Sequence, residues 1–113
     1  MMQTMLLDFY GELLTEKQRE CYDLHYNEDL SLAEIAEQSG ISRQAVWDNI
    51  RRAEAALQDI EEKTGLIRRF QETRRTLDEL SALTDRLTAL TQGEARELAS
   101  RVAQGIEELR TKG

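Results

Sequence analysis

Residues 31–50 constrain the fold more than any other part of the sequence. Ser31 followed three residues later by Glu34 is a capping box, which starts a helix. Gly40 comes where a sharp turn requires a positive φ, and Ser42 can cap a second helix. Two helices joined by a short turn that contains glycine predict a helix-turn-helix, the usual module for reading nucleic acid. A helical corner without a ligand is the alternative interpretation.

Composition restricts the fold class and the compartment. The 113 residues include no proline, 6 glycines and 40% hydrophobic residues, which favours an all-α fold with one domain and an appended helical arm. The single cysteine excludes an intrachain disulfide and a cysteine-based zinc cluster. No apolar run approaches membrane-spanning length, and the first residues do not resemble a secretion signal. We therefore expect a cytoplasmic protein that does not insert into a membrane.

Caps and apolar spacing predict the helices around the motif. Residues 5–10 are apolar enough for a short helix, and Thr15 with Gln18 forms another capping box before a helix over about residues 16–26. The second helix of the motif continues beyond the length that a reading helix needs. Its apolar residues recur every three or four positions until Gly65, which can take the left-handed conformation that ends a helix.

The rest of the chain predicts a helical hairpin, so that the domains are residues 1–64 and a tail of residues 65–113. Apolar stripes run through two segments, and Thr91 offers a capping box between them. The first stripe consists of Phe70, Leu77, Leu80, Leu83, Leu87 and Leu90, and the second of Leu98, Val102, Ile106 and Leu109. These stripes are too long to bury each other, so the hairpin needs the amino-terminal domain or a second subunit. We expect a homodimer.

Charge is distributed unevenly along the chain. The net charge is −7, which opposes simple nucleic-acid binding. Residues 1–41 alone carry −7, whereas residues 42–53 carry +2, from three arginines against one aspartate. The only clearly basic short segment in the amino-terminal half is therefore the helix that a helix-turn-helix would present to its ligand.

The outward side of this helix supplies the candidate contact residues. They are Arg43, Gln44, Trp47, Arg51 and Arg52. Arg43 can meet a phosphate near the helix amino terminus, Gln44 can read adenine, and Arg51 can bind guanine or phosphate. Asp48 between them would repel phosphate. Trp47 can stack on an unpaired base or anchor a protein contact, and packing against a neighbouring helix is the alternative.

Catalytic and metal chemistry find little support in the sequence. His25 is the only histidine and is expected at the surface, while Cys21 lies in an apolar register and is expected in the core. The carboxylates are numerous, but none is paired in an apolar context, and no phosphate-binding glycine loop and no nucleophile with its base are recognisable. We predict a protein with no catalytic residues, no metal and no cofactor.

Two family resemblances follow from these segments. Residues 13–57 resemble region 4 of bacterial sigma factors, in the run Leu14–Tyr26, in the helix-turn-helix and in Arg52-Ala53 with Leu57. The chain is too short for the sigma domain that melts promoter DNA.

A closer resemblance covers most of the chain. The run Ile41–Arg52 followed by Glu61–Leu66 is similar to the YlxM family, small acidic proteins of Gram-positive bacteria. This resemblance implies an accessory or regulatory protein of the signal recognition particle pathway. The partners it implies are the particle RNA, its GTPase or the receptor. A DNA-binding transcriptional regulator and an interaction scaffold with an acidic face stay open as alternatives.

Overall fold

The computed structural model describes residues 2–112, and every regular element in that range is helical. This confirms the all-α fold. The elements are α1 (Met2–Tyr10), a 3₁₀ turn (Gly11–Leu13), α2 (Glu16–Tyr26), α3 (Leu32–Ser39), α4 (Arg43–Thr64), α5 (Leu66–Leu90) and α6 (Gly93–Lys112). The chain divides into two compact units, Met1–Ile67 and Arg68–Gly113. No helix within residues 2–112 combines the length and the apolarity needed to cross a bilayer.

The predicted boundaries of α2, α3 and α4 are confirmed by their caps, whereas α1 begins three residues before the predicted short helix of residues 5–10. Thr15 and Ser31 each form the complete capping box, and the Ser42 hydroxyl accepts a hydrogen bond from the Ala45 amide. Gly40 ends α3 at φ 69° and Gly65 ends α4 at φ 62°. Local sequence therefore sets the starts of α2, α3 and α4, and it sets the ends of α3 and α4.

Two apolar clusters hold the first unit together, and α4 contributes to both. The cluster below the helix-turn-helix consists of Cys21, Ile35, Val46 and Ile50. The second consists of Leu6, Tyr10, Tyr22, Ala53, Leu57 and Ile67. The expectation that Cys21 is a core residue is confirmed, because it is fully buried. The first half of α4 thus packs on α2 and α3, and its second half packs on α1 and α2.

Tyrosine hydroxyls tie the helices of this unit together through polar groups. Tyr10 donates to Glu61 at 2.6 Å, and Tyr22 donates to the Gln3 carbonyl oxygen at 2.9 Å. Tyr26 packs against both clusters and donates to Glu54. These bonds let large aromatic rings be buried without leaving a hydroxyl unsatisfied.

His25 has a structural role that the surface expectation did not include. It is half-buried, its ring meets Tyr26 edge-on, and its Nδ1–H donates to the Leu30 carbonyl oxygen at 3.1 Å. The histidine therefore fixes the turn that connects α2 to α3.

The second unit contains the hairpin of α5 and α6. The Arg110 side chain ion-pairs with Asp78 at 3.0 Å, and Arg74 donates to the Arg110 carbonyl oxygen at 2.8 Å. These contacts join the first half of α5 to the end of α6, so the two helices run antiparallel. Among residues 68–112 the buried ones are Leu77, Thr84, Ala99 and Ile106.

The Thr91 capping box is wrong. Gly93 begins α6 at φ 63°, and the Thr91 hydroxyl donates to the Leu87 carbonyl oxygen at 2.7 Å. Thr91 therefore closes the last turn of α5 instead of starting α6.

Candidate nucleic-acid interface

The turn of the helix-turn-helix is held to the end of α3 by two backbone hydrogen bonds. The amides of Gly40 and Ile41 donate to the Ala36 carbonyl oxygen at 3.0 and 3.2 Å, which closes the end of α3. Gly40 carries the left-handed conformation that makes these two bonds possible. A Cβ at this position would meet nothing within 4 Å, so glycine is needed for its backbone and not for space.

The helix α2 holds the carboxyl end of α3 through polar side chains. The Ser39 hydroxyl donates to Glu20 at 2.8 Å, and Lys17 donates to the Ser39 carbonyl oxygen at 3.5 Å. Lys17 also ion-pairs with Glu20 at 3.7 Å. The turn that presents α4 is therefore fixed by α2 as well as by its own glycine.

The first three turns of α4 separate into a buried side and an exposed side. Val46 is fully buried and Ile50 is 2% exposed, because both belong to the cluster below the motif. All five candidate contact residues are exposed. We call them, with Asp48, the reading face: Arg43, Gln44, Trp47, Asp48, Arg51 and Arg52. Its residues follow two rows at steps of four, Arg43-Trp47-Arg51 and Gln44-Asp48-Arg52.

The first row is aromatic and cationic. The Arg51 guanidinium carbon lies 5.7 Å from the centroid of the Trp47 ring, a cation–π contact. Trp47 is 44% exposed and belongs to neither apolar cluster. The indole therefore lies at the surface beside a guanidinium, and this pair can stack on a base and bind a phosphate.

In the second row, two of the three side chains are hydrogen-bonded to each other. The Gln44 amide donates to Asp48 at 3.1 Å, so reading a base through Gln44 requires breaking this bond. Asn49, next to this row, donates to the Ala45 carbonyl oxygen at 2.8 Å and is thereby directed back to its own helix. Neither contact was predicted from the sequence, although both follow the i, i+4 spacing of a helix.

The charge around the reading face is strongly acidic. Residues 1–67 contain fourteen acids and six cations, and three of those cations are Arg43, Arg51 and Arg52. Long-range attraction of a polyanion is therefore weak, and binding has to rely on close contacts at the face.

Other concave surfaces of the first unit are acidic. A cleft of about 480 Å³ is lined by Leu14, Glu16, Arg19, Glu20 and Asp23.

Burial raises the pKa of the Cys21 thiol, which holds it in the protonated, unreactive form. Within residues 2–112 no group of three or more histidine, cysteine, aspartate or glutamate side chains is placed to hold a metal ion.

Comparison with known families agrees with this geometry. The family model described as "Putative helix-turn-helix protein, YlxM / p13 like" matches residues 1–96. The chain belongs to the UPF0122 family. The matched range includes the whole helix-turn-helix and the reading face.

Curated members of this family from several bacteria are similar to the chain. A UPF0122 protein of Symbiobacterium thermophilum is 54% identical over 82 residues, which are 73% of this chain and 77% of that protein. One from Bacillus cereus strain AH187 is 54% identical over 69% of this chain and 71% of its own length. One from Thermoanaerobacter sp. strain X514 is 52% identical over 68% of this chain, and the match spans 66% of its length, slightly less than two thirds.

Proposed function

We propose that this UPF0122 protein is a non-enzymatic, cytoplasmic accessory protein of the bacterial signal recognition particle pathway that binds the particle RNA through the reading face. The pathway is inferred from the resemblance to the YlxM family. The observation that supports RNA as the ligand is the exposed Trp47 beside Arg51. It lies on the basic stretch of an otherwise acidic domain.

An unpaired base suits this surface better than a duplex groove. A base in a duplex is stacked on its neighbours and leaves no face for an indole, whereas loops and bulges of RNA expose base faces. Asp48 lies at the most outward position of the helix, where the walls of a groove would bring phosphates close to its carboxylate. A base stacked on Trp47 approaches along the first row instead, away from Asp48.

The experiment uses Trp47 as its own probe, because it is the only tryptophan in the chain. Tryptophan emission of the full-length protein is recorded during titration with the particle RNA at several salt concentrations. We expect saturable quenching, because a stacked base contacts the indole directly. Neutralising one contacting arginine should lower the salt slope by about 0.7 to 0.9, the contribution of one phosphate contact.

Arg51→Gln and Arg52→Gln test the face, and Arg96→Gln is the matched control. Arg96 is equally an exposed arginine, but it lies on α6. The two test variants should reduce both the affinity and the salt slope, while the control should bind like the wild type. If the affinity of all three variants depends on salt with the same slope, or if the RNA does not bind saturably, the reading face is excluded as an RNA site.

A DNA-binding transcriptional regulator is the second candidate, favoured by the helix-turn-helix itself. A dimeric regulator places its two reading helices about 34 Å apart, one turn of DNA. Titration with duplex DNA under the same conditions separates the two functions, because groove binding leaves the indole unstacked. Tighter binding of a duplex than of the particle RNA would favour the regulator.

The particle GTPase and its receptor are the remaining candidate partners. Arg51→Gln tests them as well. If this variant loses RNA binding but still binds the GTPase or the receptor, the pathway role belongs to another surface. The homodimer predicted from the sequence is part of this proposal, and it would give each assembly two reading faces.

A further inference from the structure

The hairpin leaves most of its large apolar side chains uncovered. Leu90 is 77% exposed, and Leu83 and Leu109 are each 59% exposed. We call this set the leucine face: Leu80, Leu83, Leu87 and Leu90 of α5 with Leu98, Val102 and Leu109 of α6. All seven are at least 41% exposed. Seven large apolar side chains exposed on one helical hairpin are more than the scattered single ones that a soluble monomer normally exposes.

Other residues of the hairpin form its buried row, namely Leu77 and Thr84 of α5 with Ala99 and Ile106 of α6. We call this buried row the seam; within it the Thr84 hydroxyl donates to the Leu80 carbonyl oxygen at 2.9 Å, inside its own helix. The seam is therefore a different row of residues from the leucine face.

The two rows of the leucine face lie on the same side of the hairpin. At about 100° per residue, each row is displaced from its seam by roughly a quarter turn or more, in the same rotational sense. Since α5 and α6 run antiparallel, equal displacement places both rows on one side. The other side is polar, with Asp78, Asp85, Arg96, Ser100 and Glu107. The hairpin is thus one amphipathic layer with an uncovered apolar side.

A glycine within the leucine face leaves room for the close approach of a neighbour. Gly105 lies in the middle of α6 between Val102 and Leu109, and it is exposed. A Cβ there would meet nothing within 4 Å, so no group of the same chain requires glycine. Glycine weakens a helix interior relative to alanine, and its usual reason at such a position is the close approach of another backbone.

Charge indicates which neighbour fits. Residues 68–113 contain nine cations and eight acids, whereas residues 1–67 have a net charge of −8. The outer margins of the leucine face carry both signs, Glu79 and Arg86 on α5 and Arg101 and Glu108 on α6. Within residues 2–112 none of these four side chains is in an ion pair. A nearly neutral surface with both signs at its margins is complementary to itself.

We propose that the leucine face is covered by the leucine face of a second copy of this chain, which forms a four-helix bundle from two hairpins. Stable interfaces bury roughly 800 Å² per partner, so the charged margins have to be buried together with the seven apolar side chains. Each copy contributes the same patch, as a two-fold dimer requires. This inference rests on the homodimer of the proposed function, and it does not depend on whether the reading face binds RNA.

Sedimentation equilibrium of the full chain tests the dimer. We expect twice the chain mass of 13.0 kDa at micromolar concentration. Leu83→Glu and Leu87→Glu should each raise the dimer Kd at least about tenfold, because each places a charge in the buried centre of the interface. Leu13→Glu is the matched control. Leu13 is 70% exposed in the 3₁₀ turn of the first unit, so this variant should keep the wild-type mass.

Gly105→Leu supplies a second test in which the monomer is not weakened. Leucine is a better helix former than glycine and meets open space in the single chain. The helical circular dichroism signal should therefore be unchanged or larger, while the dimer Kd rises at least about tenfold through the clash. The RNA titration is a separate readout, so failure of RNA binding leaves this result standing. A monomeric wild type, or a wild-type Kd in the leucine and glycine variants, would overturn the proposed interface.

Discussion

The guanidinium of Arg51 lies over the indole of Trp47, with 5.7 Å between the guanidinium carbon and the ring centroid. Both residues belong to one row of an exposed helix surface, and neither takes part in the apolar clusters. The contact holds a cation against an aromatic ring before any ligand arrives. A ligand therefore meets a surface that is already arranged for stacking and for phosphate.

Replacing Trp47 should weaken RNA binding without weakening the fold. Trp47→Ala removes the stacking surface, and base stacking on an aromatic side chain contributes about 1–3 kcal/mol, so the Kd should rise roughly 5- to 150-fold. The free energy of unfolding should change by no more than about 0.5 kcal/mol, because the side chain is outside the core. Trp47→Phe should retain part of the affinity. Filter binding and urea unfolding measure the two effects, and a large loss of stability would mean that Trp47 is a packing residue.

Removing the acid from the reading face should strengthen nucleic-acid binding. Asp48→Asn takes away a carboxylate that repels phosphate and keeps a side chain that can bond Gln44. The affinity should rise about two- to fivefold at low salt, and the gain should shrink as salt screens the charge. Asp85→Asn, an equal charge change on α5, should have no effect. An affinity that falls in Asp48→Asn would indicate that the carboxylate accepts a hydrogen bond from the ligand.

Gly40→Ala should destabilise the first unit through the backbone alone. The residue has φ 69°, and a Cβ there meets nothing within 4 Å. The cost should be about 1–2 kcal/mol, the penalty of a left-handed conformation for alanine. Gly40→Asn should cost less, because asparagine tolerates this region better. Thermal unfolding of the three proteins measures the order, and equal stability of wild type and Gly40→Ala would contradict the strained turn.

Stability should fall at alkaline pH because the tyrosines are held protonated. Burial raises the pKa of Tyr10 and Tyr22, and burial with the hydrogen bond to Glu54 raises the pKa of Tyr26 to about 12. A raised pKa in the folded state stabilises the fold below the unfolded pKa of about 10, and this contribution is lost as the pH rises toward 12.

Urea unfolding at about pH 8 and about pH 11 measures this loss, and tyrosinate absorbance follows the ionisation. All three tyrosines of the chain lie in the first unit, so their ionisation should accompany its unfolding. Tyr26→Phe should be less stable at neutral pH and less sensitive to alkali than the wild type. Tyrosines that titrate near pH 10 in a protein that stays folded would contradict this account.

The helices of the first unit could be predicted because their determinants are local. Ser31 needs only Glu34 to form its capping box, and Gly40 needs only its own missing side chain. The bonds that join helices could not be predicted in the same way. Tyr26 reaches Glu54 across 28 residues, and no periodicity of either segment indicates that pairing.

The two faces of the hairpin show what the periodicity of apolar residues does not predict. The spacing correctly predicts long amphipathic helices, but it does not say which apolar row meets the partner helix. Thr84, which interrupts the leucine pattern, lies at the buried seam, while Leu83 beside it is 59% exposed. Steric fit between the facing helices selects the seam, and that fit depends on both helices together.

The reading face could be located because its buried counterpart is fixed. Once Val46 and Ile50 face the core, helix geometry directs Arg43, Trp47 and Arg51 outward. The pairing of Gln44 with Asp48 was not predicted, because several side chains at i, i+4 spacing compete on an exposed surface.

The division of α4 into a buried and an exposed side has a consequence for how this family can diversify. Val46, Ile50, Ala53 and Leu57 supply the packing, whereas the outward residues of the same turns supply none of it. Substitutions on the outward side cost little stability, on the order of 0.5 kcal/mol or less. Ligand preference can therefore change by single steps on an unchanged scaffold. Descendants of one such chain can come to recognise different molecules and still keep every helix in place.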